Sequence, residues 1–146
     1  MQFILSEHAG FCPGVRNADK TVTRLIDSSD GRRIFTLGHL IHNRLYNLDL
    51  ETKGVHSIEI DEVENEFLSN RDTPMTVVIR THGITVDVEN RLKALQEKYP
   101  LLSIVDATCG YVKRIHKIAK ENTGDDTFFL LYCNPKHPEE IGRAHV

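Results

Sequence analysis

The sequence predicts an α/β fold built on a parallel sheet, and three observations support this prediction. Short apolar runs recur along the chain, amphipathic helical segments separate them, and polar loops mark the junctions. Nearly continuous apolar runs are typical of strands that are buried on both faces, and alternation with helices indicates right-handed crossovers between parallel strands. The 146 residues are enough for one such domain, or for one domain and part of another.

Five segments of the chain are predicted to be strands because they are short, apolar and bounded by turn residues. These segments are FILS, IFTLG, TVVIRT, SIVDAT and TFFLLYC, at residues 3–6, 34–38, 76–81, 103–108 and 127–133. Three helices are predicted from apolar residues that recur on one helical face. The faces are formed by Val15, Ala18, Val22 and Leu25, by Val88, Leu92, Leu95 and Tyr99, and by Val112, Ile115 and Ala119.

Two further expectations concern the polar parts of the chain. His116 is expected on the polar side of the third helix, and His56 is expected to face solvent. The acidic run EIDEVENE at residues 59–66 is expected to be a solvated helical face.

Composition excludes several classes of function. A net charge of -3 gives no general signal for binding nucleic acid or a membrane surface. No apolar run approaches the roughly 20 residues that span a bilayer, and MQFILSEHAG lacks the basic start of a signal peptide. We therefore expect a cytoplasmic protein, in which three cysteines favour metal binding or catalysis over a disulfide framework.

Two of the cysteines occupy the same kind of junction. Cys12 and Cys109 each follow an apolar run and directly precede a predicted helix, and Pro13 biases Cys12 away from helical geometry. The partial positive charge of a helix N-terminus favours the thiolate, which is the form that binds iron or zinc. The local sequence leaves a second interpretation open, namely two buried and inert thiols. Cys133 ends a predicted strand with no helix directly behind it and is expected in the core.

Three histidines follow the ends of predicted strands, where parallel sheets collect their ligands. They are His42, His82 and His137. Imidazoles bind metals, donate hydrogen bonds to phosphate or relay protons, and glycines near His42 and His82 would let a ligand approach the backbone. Glu139 is a candidate general acid, or simply a favourable charge at the start of a helix.

Taken in order, these segments resemble the N-terminal half of 4-hydroxy-3-methylbut-2-enyl diphosphate reductases, the IspH or LytB family. The resemblance depends on GFCPGV (10–15), TLGHLIHN (36–43), GV (54–55), VIRTHG (78–83), VDATCGYVKRIHK (105–117) and HPEEIG (137–142). It covers essentially the whole chain, and the motifs are specific in combination although none would suffice alone.

The resemblance implies an α/β fold in which three similar domains surround a central 4Fe-4S cluster. Residues 1–13 would form an N-terminal strand and the first cysteine loop, 14–108 the first domain, and 109–146 the opening of a second, truncated domain. By their place in the family motifs, Cys12 and Cys109 would be two of three cluster ligands. His42, His82 and His137 would bind the substrate diphosphate, and Glu139 would deliver protons toward the substrate hydroxyl.

The implied activity is the reductive dehydroxylation of 4-hydroxy-3-methylbut-2-enyl diphosphate to isopentenyl and dimethylallyl diphosphates, with ferredoxin or flavodoxin as electron donor. The chain departs from the family because the third cysteine ligand lies beyond the HPE motif, and Cys133 precedes that motif. We therefore expect an incomplete polypeptide that does not hold a stable cluster by itself and that could self-associate through an exposed sheet edge.

Two alternatives stay open at this stage. One is a non-catalytic α/β domain that binds diphosphate through its histidines. The other is a zinc site built from Cys12, Cys109 and either a histidine or Cys133.

Overall fold

The structure is a computed structural model that describes residues 2–4, 9–28, 30–124, 126–127 and 130. Five helices and four strands alternate along these residues. They are α1 (Pro13–Asp27), β1 (Arg33–Leu37), α2 (Arg44–Thr52), β2 (Val55–Ile58), α3 (Val63–Ser69), β3 (Met75–Ile79), α4 (Val86–Lys98), β4 (Leu102–Asp106) and α5 (Gly110–Asn122). The predicted α/β fold is therefore confirmed.

The four strands form one parallel sheet in the order β2-β1-β3-β4. The chain moves outward from β1 to β2 and then crosses back to β3, so right-handed crossovers place the connecting helices on opposite faces. In the part of the chain that the structure describes, β2 and β4 are the outer strands. Self-association through one of these edges stays a prediction. The division of the chain into residues 1–13, 14–108 and 109–146 also stays a prediction.

Each face of the sheet packs against its own helices. One core includes Ala18, Val22, Ile34, Leu40, Ile41, Leu50, Val55, Val78 and Ala107, and lies under α1 and α2. The other includes Leu37, Ile58, Val63, Phe67, Met75, Val77, Ile79, Leu92 and Leu102, and lies under α3 and α4. Every residue of β3 is buried, which explains why this strand reads as a nearly continuous apolar run.

Tyr46 connects α2 to α1 and to the loop that precedes α1. Its hydroxyl donates a hydrogen bond to Asp19 Oδ1 at 2.9 Å, and its ring meets the edge of Phe11 with 5.3 Å between ring centroids. Burial and the bond to Asp19 raise the pKa of Tyr46 above its usual value. Since Phe11 directly precedes Cys12, these contacts anchor the first thiol junction to the core.

The structure contains elements that the apolar runs did not predict. β2 has only its two end residues buried, so its sequence shows no apolar run. Within the acidic segment 59–66, helix α3 begins only at Val63. Its acidic residues are exposed or half-buried, as expected of a solvated face, while its other face buries Val63 and Phe67. His56 is exposed, as predicted.

The two terminal strand predictions have different outcomes. In the predicted first strand, Phe3 and Ile4 are not in a strand and are about nine-tenths exposed, because no neighbouring strand pairs with them among the described residues. Residues 5 and 6 of that prediction lie outside the described residues. Most of 127–133 lies outside the described residues, and Thr127 forms only an isolated bridge with Gly124. None of the helices within the described ranges combines the length and apolarity that crossing a membrane requires.

Candidate functional site

Helix starts converge on the carboxyl edge of the sheet. The residues at the N-cap positions of these helices include Cys12, Asn43, Thr85 and Cys109. His42 directly precedes the cap of α2, and His82 lies in the turn before α4. Because each helix N-terminus carries a partial positive charge, this edge favours bound anions.

The two predicted thiols stand at equivalent helix starts, as the sequence indicated. The Cys12 backbone (φ -61°, ψ 162°) and the Cys109 backbone (φ -56°, ψ 136°) are extended, and neither side chain caps its helix. Instead, the carbonyl of each cysteine accepts the first helical hydrogen bond. The donors are the backbone N–H groups of Arg16 and Lys113 respectively, each at 2.9 Å. Both cysteines are free, with Cys12 exposed and Cys109 half-buried.

The two thiol junctions meet at Gly14. A Cβ on this glycine would overlap the sulfur of Cys109, so the backbone of α1 packs directly against that thiol. Residues from both junctions line a shared cavity of about 420 Å³, and they include Pro13, Gly14, Cys109 and Gly110. The fold therefore brings together two cysteine junctions that are far apart along the chain.

The second group at this edge is a stacked histidine pair. The rings of His42 and His82 lie 4.2 Å apart between centroids, with 30° between their planes. His42 is exposed and His82 is buried. The two loops are joined because the backbone N–H and hydroxyl of Thr81 both donate to the carbonyl of Leu40, at 3.2 and 3.0 Å. Imidazoles held in this way can donate hydrogen bonds to an anion that approaches from solvent.

A backbone hydrogen bond connects the histidine pair to the second thiol. The N–H of Cys109 donates to the carbonyl of Thr81 at 2.9 Å, and Thr81 directly precedes His82. The structure therefore places Cys12, Cys109, His42 and His82 at one edge. The other predicted site residues, His137 and Glu139, lie outside the described residues, as does Cys133.

Within the described ranges, no three His, Cys, Asp or Glu side chains lie close enough to hold a metal ion. The two-thiol set fits two ligands of an iron-sulfur cluster, because iron-sulfur clusters are held by thiolates, and it does not complete a cluster. The described residues likewise do not bring Cys12, Cys109 and a histidine together as zinc ligands, and this alternative stays a prediction. A zinc site with Cys133 stays a prediction.

The glycines of the histidine loops make room for neighbouring side chains, which the sequence did not predict. Gly38 and Gly83 have positive φ angles of 65° and 75°, but side chains occupy the space beside them. Arg80 Nη1 and His116 Cε1 each lie 2.9 Å from the position of the missing Cβ. These glycines therefore admit protein side chains and not a ligand.

The position of His116 contradicts one expectation from the sequence. His116 is buried, at 6% exposure, and not on the polar side of its helix, because the α5 face that carries it turns toward the His82 loop. A glycine beside a strand-end histidine is the one signal in the sequence that could have indicated such a close neighbour.

Asp106 holds the start of α5 in place. Its carboxylate accepts a hydrogen bond from the Thr108 N–H at 2.9 Å and pairs with Lys113 Nζ at 2.7 Å. Burial opposes ionisation of this carboxylate, but the bonds from Lys113 and Thr108 outweigh burial and keep the pKa of Asp106 below its usual value. The acid thus stabilises the junction that carries Cys109.

The fold and the site together define a class of protein: an α/β domain with cysteines at two neighbouring helix starts and a stacked histidine pair at the same sheet edge. The family model of the LytB protein matches residues 3–145. The chain therefore belongs to the LytB family, as the resemblance of its motifs predicted.

Individual relatives agree with this assignment. The 4-hydroxy-3-methylbut-2-enyl diphosphate reductase of Caldanaerobacter subterraneus subsp. tengcongensis is 34% identical over 97% of this chain and 46% of its own length. The reductase of Aquifex aeolicus is 35% identical over 97% of this chain and 44% of its own length. The chain thus spans a little under half the length of these relatives.

Solved structures show the same relationship. A structure of (E)-4-hydroxy-3-methyl-but-2-enyl diphosphate reductase, the terminal enzyme of the non-mevalonate pathway, has a TM-score of 0.70 and 34% identity. The match covers 95% of this chain and 44% of the chain in that structure. The Plasmodium falciparum reductase has a TM-score of 0.63 and 25% identity, over 93% of this chain and 39% of its own.

Proposed function

We propose that this chain provides part of the active site of a 4-hydroxy-3-methylbut-2-enyl diphosphate reductase. The observation that carries the proposal is the convergence of two cysteine-bearing helix starts and a stacked histidine pair at one sheet edge. In this reaction two electrons and two protons remove the substrate hydroxyl as water and leave isopentenyl or dimethylallyl diphosphate. The names of the relatives support the same activity.

The described residues have distinct roles in this proposal. Cys12 and Cys109 would hold two irons of a 4Fe-4S cluster, which when bound supplies electrons received from a donor such as ferredoxin or flavodoxin. His42 and His82 donate hydrogen bonds to the diphosphate, and the surrounding helix starts stabilise its negative charge. Binding of the diphosphate here would direct the allylic end of the substrate toward the neighbouring thiol junctions.

Two residue roles in the proposal depend on the family resemblance alone. His137 is assigned to the diphosphate and Glu139 to proton delivery at the substrate hydroxyl. The cysteines of this chain are at positions 12, 109 and 133, so no cysteine follows the HPE motif as the third cluster ligand would. We therefore expect this chain alone to bind iron incompletely. A cytoplasmic location belongs to the same proposal.

The histidine assignment is tested by calorimetry with pyrophosphate on metal-free protein. His42→Ala and His82→Ala are each expected to weaken binding about tenfold or more, since a hydrogen bond to a charged group contributes about 1.5–3 kcal/mol. His56→Ala is the matched control, because His56 is exposed on β2 and outside the site. Absence of binding, or equal loss in all three variants, would contradict the assignment.

The thiol assignment is tested by anaerobic reconstitution with iron and sulfide. Cys12→Ser and Cys109→Ser are expected to lower the iron retained per chain, whereas Cys133→Ser is expected to leave it unchanged. A full four-iron cluster with substrate turnover in this chain alone would show that the expected incompleteness is wrong.

The same samples decide between the reductase and the two alternatives. Zinc in freshly purified protein that depends on Cys12, Cys109 and Cys133 would favour a zinc site. Pyrophosphate binding with no retention of iron under any condition would favour a non-catalytic diphosphate-binding domain.

A further inference from the structure

His116 is a buried side chain that reaches the histidine site from a different element. It lies in α5, two turns after the thiol junction of Cys109. Its Cε1 atom is 2.9 Å from the position that a Cβ on Gly83 would occupy. Thr108 and Val112 fill the rest of that space, at 3.3 and 3.7 Å. The His116 ring thus lies against the backbone of the turn that carries His82.

This turn is fixed at both of its ends. At Thr81, hydrogen bonds to Leu40 and from Cys109 hold the backbone. At Gly83, the backbone N–H donates to the carbonyl of Arg80 at 3.1 Å. A glycine with a φ of 75° has access to many other conformations, so packing by the His116 ring restricts the residue that would otherwise be the most mobile in the turn.

We propose that His116 is a positioning residue that sets the orientation of His82 and thereby the geometry of the stacked histidine pair. One helix then places two parts of the site, since Cys109 is the N-cap residue of α5 and His116 lies within it. The effect on anion binding rests on the proposed function, whereas the effect on the orientation of His82 does not.

The orientation is tested by NMR of the imidazole signals in the ligand-free chain at matched pH, assigned with the His42→Ala and His82→Ala variants. Stacked rings shift one another's signals, so His116→Ala is expected to move the His82 signals toward their position in His42→Ala. Ile115→Ala is the matched control, because Ile115 is the adjacent α5 residue and is 40% exposed. Coincidence of the His82 signals in His116→Ala and Ile115→Ala would overturn the inference.

A second variant covers the case in which His116→Ala does not fold. His116→Leu fills the same space with an apolar side chain but removes the ring at Gly83, and the same displacement of the His82 signals is expected. Unchanged signals in a folded His116→Leu protein would overturn the inference equally.

Pyrophosphate calorimetry separates this inference from the proposed function. If the unsubstituted chain binds pyrophosphate, His116→Ala is expected to weaken binding about five- to tenfold, and unchanged affinity would overturn the role of His116. If the unsubstituted chain does not bind pyrophosphate, the proposed diphosphate site fails, and the NMR signals still decide whether His116 positions His82.

Discussion

Gly14 shows how a single residue determines whether the two thiol junctions can meet. Its missing side chain leaves the space that the Cys109 sulfur occupies. Gly110 directly follows the other cysteine, but no atom from another part of the described chain lies within 4 Å of where its Cβ would be. The two glycines that follow the cysteines therefore have different structural importance.

At this scale we predict opposite effects of the same substitution. Gly14→Ala is expected to lower the free energy of unfolding by about 1–3 kcal/mol, because overpacking forces α1 or Cys109 to move. Gly110→Ala is expected to be neutral or to stabilise by up to about 1 kcal/mol, through a less flexible unfolded chain. Urea denaturation measures both, and equal effects would contradict the packing of Gly14 against the thiol.

Among the elements, α5 has the greatest influence on the site, because its start carries Cys109 and its buried face carries His116. Asp106 at the end of β4 holds that start through Thr108 and Lys113. The sequence could predict this helix from its apolar spacing. It could not predict which of its faces is buried, because that depends on the turn at Gly83, which comes from another βα unit.

A pH dependence follows from the lowered pKa of Asp106. A carboxyl whose pKa is lower in the folded protein stabilises the fold above its unfolded pKa, and this contribution is lost as the pH falls toward the folded pKa. Asp106→Asn is therefore expected to reduce stability near neutral pH and to flatten its decline in acid. Urea midpoints between about pH 7 and about pH 2 measure this, with Asp72→Asn in an exposed turn as control. Parallel curves for Asp106→Asn and the unsubstituted chain would contradict the prediction.

The whole molecule is a sheet with a core on each face, and β3 lies at its centre between β1 and β4. Val77 and Val78 are adjacent in sequence and fully buried, yet they belong to different cores. This arrangement explains why the central strand shows no alternation of polar and apolar residues.

At the molecular scale we predict that both faces of β3 are equally intolerant of a polar group. Val77→Thr and Val78→Thr are each expected to lower the free energy of unfolding by about 1–3 kcal/mol, because each buries a hydroxyl in an apolar core without a hydrogen-bond partner. Val86→Thr, the same change at an exposed position, is expected to stay within about 0.5 kcal/mol. A small effect at either buried valine, measured by urea denaturation, would show that its face is not covered.

The sequence by itself determined the features that depend on neighbours along the chain. Apolar runs and helical spacing indicated the α/β class, and local junctions placed Cys12 and Cys109 at helix starts and His42 and His82 at strand ends. The tertiary structure alone decided which of these residues meet. The order β2-β1-β3-β4 puts β1, β3 and β4 side by side, so their loops touch. The contacts of Gly14 with Cys109 and of Gly83 with His116 join distant segments, and periodicity carries no information about the partner across such a contact.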